Sequence, residues 1–328
     1  MSTFPFLSLP VLARNEIVKS LSLEDLIFLS TCSKRAYTSV KAANITLHRI
    51  QLHFGESPVI LIEYRFETYY LKFIKWDVNV DRNAYYTIIL NGNRVWWNSG
   101  VFVPFYTGGV DGKEKALELL TGYFRDLFKV NKLDVSLNRQ FVRNFFLWKT
   151  TKTVNELEIG SRYGDQLRLS NEEIKFVLED LNAKILNINV MPSPHFSYEN
   201  GLKQKEVHIE KAYWLHLNAL LNSESSRISL TNPWFPGYAL NLFVKNWIAG
   251  IGLNNFHHLH ITNKREKFDD EFQGEVLEDI ETVKWDPRNR PEDFEDDELS
   301  AGRDFRKADG TWATVLVDEE NFIFHVWK

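Results

Sequence analysis

Between residues 4 and 41 the hydrophobic positions of this chain fall at helical spacing in three short runs. Leu9-Pro10 opens the first, because proline has no N–H to lose in a first turn and brings its φ already set. That run reaches about Ser20 and carries Val11, Leu12, Ile17 and Val18. Ser22 predicts the cap of a second helix, with Asp25 three residues on to complete a capping box. Leu23, Leu26, Ile27 and Ser30 share one face of it, while Phe28 and Leu29 make a second face apolar. Ser33 restarts the chain into a third turn with Tyr37 and Val40. About forty residues cannot bury so many large side chains alone. A cover from outside the module is therefore expected.

The period then changes. Residues 44–53 read as a further helix or connector, closed by Gly55 and Pro58. Residues 59–76 alternate in the manner of strands, with Ile60, Ile62, Tyr64 and Phe66 on one face and Leu71 and Phe73 in a second strand. Apolar runs on both sides of Asn91-Gly92 predict a hairpin. Gly108-Gly109 and Asp111-Gly112 mark loops, and residues 113–128 predict a helix. Beyond residue 130, short strands recur at 133–137, 157–159, 186–190, 207–209, 228–230 and 259–261, with helices expected over 140–148, 171–181, 214–221 and 238–248. One strand and one helix per unit cannot close a core alone, but stacked units can. Residues 311–317 and 322–327 predict a final hairpin that caps the stack.

The expected fold is thus mixed, α+β or α/β. A three-helix module spans 1–50, a small antiparallel sheet with a helix spans 51–130, and an irregular leucine-rich-repeat-like strand–helix region spans 131–328. A compact α/β sandwich built from the same elements is the alternative.

The Leu9-Pro10 start, the Asp25-Leu26 opening and the Cys32-Ser33-Lys34-Arg35 exit resemble an F-box. The lead-in Phe4-Pro5-Phe6-Leu7 is similar to that of the large nematode group of F-box proteins. Many F-boxes place a tryptophan just after the Ser-Lys-Arg step; Ala36-Tyr37 stands here instead. The helix over 215–221, the strand over 226–230, the helix over 242–248 with Trp247 and the strand over 259–261 resemble the F-box-associated region of the same group. The resemblance implies a non-catalytic substrate receptor of a cullin-RING ubiquitin ligase, docked on a Skp-type adaptor and through it on a cullin. Adaptor contacts would come from Leu7, Leu9, Pro10, Val11, Ile17, Leu23, Leu26, Ile27, Leu29 and Cys32. A protein substrate, whose identity the residues do not give, would meet the C-terminal region, with Trp234, Phe235, His258 and His260 as candidate contacts. The competing expectation is a repeat-type interaction scaffold with no ligase role.

Composition narrows the field without changing it. A net charge of −5 over 328 residues gives no basic footprint for nucleic acid. No run approaches the ~18 apolar residues of a membrane span, and no signal-peptide pattern opens the chain. With one cysteine, Cys32, no internal disulfide can form, and cytosol or nucleus is expected. The 24 Phe, 12 Tyr and 10 Trp suit a filled core or a recognition surface. Residues 266–298 hold about fifteen carboxylates against four basic residues and read as an exposed, partly flexible loop, a candidate dock for a basic partner.

Catalytic patterns are missing. Cys32 reads as a buried structural thiol, with nothing near it to lower its pKa. His258 and His260 share a strand face, but zinc sites normally need three or four ligands, so no metal is expected. Thr107 to Lys113 departs from a phosphate loop, because Glu114 replaces the hydroxyl that would hold Mg²⁺. Gly250-Ile251-Gly252 lacks the third glycine of a dinucleotide loop. No cofactor is expected.

Overall fold

The computed structural model describes residues 5–72, 74–75, 86–90, 93–98, 101–103, 105–106, 110–160, 167–265, 267–290 and 299–327. The chain divides into two compact units, residues 1–139 with 144–155 and residues 140–143 with 156–328.

The first unit opens with α1 (Val11–Ser20), α2 (Leu23–Cys32) and α3 (Lys34–Ala42). Ser22 caps α2 by accepting the Asp25 N–H at 3.1 Å, and Ser33 caps α3 by accepting the Ala36 N–H at 3.1 Å. The capping box takes a variant form, in which the Ser22 hydroxyl donates to the Asp25 carboxylate at 2.8 Å. There follow β1 (Thr46–Phe54), β2 (Val59–Tyr64), β3 (Glu67–Lys72), β4 (Ile74–Lys75), β5 (Tyr86–Leu90), β6 (Asn93–Asn98), β7 (Val101–Val103) and β8 (Phe105–Tyr106), then α4 (Val110–Leu127) and β9 (Lys129–Leu137). Strand β1 lies between antiparallel β2 and parallel β9.

Four sequence expectations change here. Residues 46–54 form a strand, not a helix: Ile50, Leu52 and Phe54 are buried at a period of two. Leu47, Ile50 and Phe54 also fit helical spacing, which is why the sequence misleads. Phe66 is fully exposed because the chain reverses at Arg65 (φ 57°) and pairs Tyr64 with Glu67. Asp111-Gly112 lies inside α4 rather than in a loop. Residues 140–148 form two 3-10 turns, Val142–Asn144 and Phe146–Lys149. The four consecutive residues from Phe145 to Trp148 are all buried, which no α-helix with a solvent face can achieve. The Asn91-Gly92 turn, Phe73 and Gly108-Gly109 lie outside the described residues, though Leu90 pairs with Asn93 across that hairpin.

The second unit takes β10 (Thr153–Ile159) from Glu156 on, then β11 (Leu167–Arg168), α5 (Asn171–Lys175), β12 (Asn182–Met191), β13 (Glu206–Glu210), α6 (Leu217–Leu221), β14 (Arg227–Thr231), α7 (Gly237–Ala249), β15 (His258–Thr262), α8 (Asp270–Leu277), β16 (Val283–Lys284), β17 (Arg303–Arg306), β18 (Trp312–Val317) and β19 (Asn321–Trp327). Strands β12 to β15 pair in parallel, and Leu186, Val207, Ile228 and Leu259 stand side by side across them. A second buried row is Ile188, Ile209, Leu230 and Ile261. Antiparallel β19 extends both rows with Phe324 and Phe322, and β18 pairs onto β19. The expected terminal hairpin therefore closes the last parallel edge, covering backbone groups that an open edge would leave unpaired. Helix α7 covers the rows, its Phe243 and Trp247 meeting Phe324 edge-on at 5.5 and 5.3 Å between ring centroids. Gly250 ends α7 in the left-handed region (φ 71°), and the Ile251 N–H returns to the Asn246 carbonyl at 2.9 Å. That glycine pair is a helix cap, not a nucleotide loop.

The acidic stretch is also more ordered than its composition suggests. Asp269 caps α8, and the Asn241 side chain donates to the carbonyls of Val276 and Glu278 at 3.0 and 2.8 Å. Val276 is fully buried. Apolar residues at Phe268, Phe272 and Val276 give this segment a helical face that its net charge hides. Residues 291–298 lie outside the described residues.

Candidate functional site

Two surfaces merit attention, one on each unit. On the first, the cover expected from outside the three-helix module is largely supplied by the same chain. Val18, Leu23, Leu26, Ile27 and Val40 are fully buried. Tyr64 and Arg65 of the β2–β3 turn reach the C-terminal end of α1, and Arg65 bonds the Lys19 carbonyl. Helix α4 ties to α2 through Tyr123 and the Ser30 hydroxyl, and to α3 through Asp126, which accepts from Tyr37 and from Lys41. Those two donors, Lys41 first, hold the Asp126 carboxyl below its ordinary pKa. Tyr37, at the place of the missing tryptophan, is thus a tether between α3 and α4.

Of the candidate adaptor contacts, Leu23, Leu26 and Ile27 are fully buried on the inner face of the module. Leu9, Ile17 and Leu29 are half-buried, and Leu7, Pro10, Val11 and Cys32 are exposed. The Cys32 thiol is accordingly not a buried structural one. Leu12, not among the candidate adaptor contacts, is 80% exposed and joins Leu7 and Val11 as large apolar side chains left open around the start of α1. The signal for it was present: Leu12 lies off the face defined by Val18 and the α2 leucines.

On the second unit, the loops leaving β14 and β15 emerge side by side, because parallel strands end at the same edge. With the first turn of α8 they form a groove of about 590 Å³, lined by Trp234, Phe235 and Pro236 on one side and by Arg265, Phe268 and the α8 residue Phe272 on the other. Crevices beyond the carboxyl ends of parallel strands are common ligand positions. The loops are pinned. The Asn232 side chain accepts the Lys264 N–H at 2.8 Å, and the Asn232 N–H reaches the Thr262 carbonyl at 2.8 Å. Phe268 and Phe272 stack at 4.2 Å. Trp234 is 76% exposed, its ring in a tilted contact with Tyr213 at 6.0 Å, whereas Phe235 is mostly buried.

His258 and His260 do share the outer face of β15, with Leu259 and Ile261 inward. They belong to a polar sheet face apart from the groove lining. His258 Nδ1 lies 3.1 Å from His325 Nδ1, and His260 Nε2 lies 3.1 Å from the Asn321 side-chain oxygen. Burial, then the neighbouring His325 and His260, push the His258 pKa down to about 4, so that imidazole is neutral at physiological pH. Among the described residues, no group of three or more His, Cys, Asp or Glu side chains is placed to hold a metal ion, and no helix is long and apolar enough to cross a membrane. Phe268 and Phe272 are hidden in the sequence by the carboxylates of residues 266–298, and Arg265 by its place just outside that stretch.

Two family models match the chain: an F-box domain over residues 6–48 and an F-box-associated region over residues 199–261. The first covers α1 to α3 and the start of β1, and the second covers β13 to most of β15, including the Trp234 wall of the groove. The chain is similar to two uncharacterized proteins of Caenorhabditis elegans, F59B2.8 and F59B2.9. Each is 22% identical over 99% of this chain and 78% of the relative. No solved structure matches it.

Proposed function

We propose that this chain, a nematode-type F-box protein by its F-box and F-box-associated domains, is the substrate-recognition subunit of an SCF-type cullin-RING ubiquitin ligase. F-box domains generally bind a Skp-type adaptor and so link to a cullin. The observation that carries the reading is the pairing of the F-box match with an unburied apolar surface, Leu7, Val11 and Leu12, on a module whose inner-face side chains, Val18, Leu23, Leu26, Ile27 and Val40, are already covered. Taking such a side chain from water to full burial contributes about 1.5–3 kcal/mol. That favours adaptor docking over a scaffold role in which the module merely caps its own chain. The F-box-associated unit receives the protein substrate and holds it near the conjugating enzyme, so the chain works by proximity and orientation. F-box and F-box-associated domains typify non-catalytic adaptors, and the cytosol or nucleus is the compartment where this assembly would act. Co-expression with a Skp-type adaptor and a cullin tests the reading. One gel-filtration peak with all three chains is expected, and this chain eluting alone beside a correctly paired adaptor and cullin would overturn it.

A further inference from the structure

The groove beyond β14 and β15 has features that specify an occupant. Its volume suits a short extended segment, not a folded domain. One wall presents Trp234, an exposed indole set between Pro233 and Pro236, two residues that limit the loop's freedom before binding. The other presents the stacked Phe268–Phe272 pair. Solvent-open tryptophan is the side chain that most often carries binding energy once covered.

The charges around the groove are unevenly compensated. Lys267 is paired with Glu319, and the Asp269 carboxylate accepts the Phe272 N–H as the cap of α8, at 2.8 Å. Arg265, one of the residues lining the groove, is exposed and has no carboxylate partner among the described residues. Lys264 beside it is exposed as well. An aromatic groove with an uncompensated guanidinium complements an aromatic ring next to a carboxylate.

Building on the substrate-receptor reading, we propose that this groove is the substrate-docking site and takes an extended acidic peptide segment containing an aromatic residue. The ring lies against Trp234 and the phenylalanine pair, and a neighbouring carboxylate pairs with Arg265. The same wall chemistry could stack nucleobases, but Arg265 and Lys264 are two cations and not the basic stripe that a run of phosphates needs.

Fluorescence anisotropy on the full chain tests this, with the labelled peptide Gly-Glu-Asp-Phe-Pro-Glu-Gly as probe. Saturable binding is expected. It should weaken at least about tenfold when the probe's Phe is replaced by Ala, or its acids by their amides, and equally in Trp234→Ala and Arg265→Glu. Both positions are exposed, so the variants should keep the wild-type melting temperature. A probe with Lys in place of its acids should bind Arg265→Glu better than wild type. No saturable binding, equal binding of the three peptides, indifference to Arg265→Glu, or tighter binding of a single-stranded oligonucleotide would each overturn the assignment. Adaptor co-purification of the wild-type chain separates the two readings. If it is seen while peptide binding fails, the groove assignment falls and the receptor reading stands; if it is absent while the peptide binds, the reverse holds.

Discussion

The buried ion pair of Arg290 and Asp304 should hold the C-terminal strands on the second unit. Their side chains are 2% and 0% exposed, and Arg290 Nη2 donates to Asp304 Oδ1 at 2.5 Å. The same carboxylate accepts the Thr314 hydroxyl at 2.6 Å and the Asp286 N–H at 3.1 Å. The guanidinium lies over the rings of Trp327 and Trp285, 4.1 and 5.2 Å from their centroids, and the Trp327 indole N–H donates to Thr314 at 2.8 Å. Asp304→Leu removes one charge and strands the other in a site water does not reach, so it should cost about 3–5 kcal/mol. Arg290→Met should cost a similar amount for the opposite reason. The double variant leaves no orphaned charge and loses mainly the hydrogen bonds of Thr314 and Asp286, at about 1 kcal/mol each. Its cost should therefore fall well below the sum of the singles, a coupling of at least about 3 kcal/mol. Urea unfolding followed by tryptophan emission reads this directly, because Trp285 and Trp327 flank the pair. Single variants that each cost under about 1 kcal/mol, or a double variant that costs the full sum, would refute the reasoning.

Three further outcomes are expected. Gly201→Ala places a Cβ 2.0 Å from the Asn222 carbonyl oxygen, so it should destabilise the second unit by more than about 2 kcal/mol in thermal unfolding. For His258, the folded pKa of about 4 lies below the ordinary 6.5. The unfolded chain therefore takes up the proton first, and stability present above pH 6.5 is lost as pH falls from 6.5 towards 4. His258→Gln should flatten that part of a stability–pH curve, and an unchanged slope would count against the burial argument. Tyr37→Phe removes the donor to Asp126 and should cost about 1 kcal/mol, measured by urea unfolding of the first unit.

Elements with local punctuation were legible in the sequence. Pro10, Ser22 and Ser33 announce the three helices, and alternation announces β12 to β15, since each strand buries alternate residues against α7 or its neighbours. What the sequence hid was tertiary. Leu23, Leu26 and Ile27 look like an unclaimed face until α4 and the β2–β3 turn close over the module. That closure depends on contacts such as Ser30–Tyr123, some ninety residues apart in sequence. Helix α8 was masked because charge dominates its composition, while its structural information resides in Asp269, Phe272 and Val276. The groove could not be read locally, because its walls come from two loops that only parallel pairing of β14 and β15 brings together.

The central claim is that the exposed start of α1 docks a Skp-type adaptor. The most direct measurement is isothermal titration of purified adaptor with the full chain, wild type against Val11→Asp combined with Leu12→Asp. These side chains are 56% and 80% exposed, so the substitutions leave the fold intact. Saturable one-to-one binding that weakens at least about a hundredfold in the variant is expected, since two apolar contacts of about 1.5–3 kcal/mol each are lost. Trp234→Ala should bind the adaptor as wild type does. Undiminished binding by the α1 variant would contradict the account.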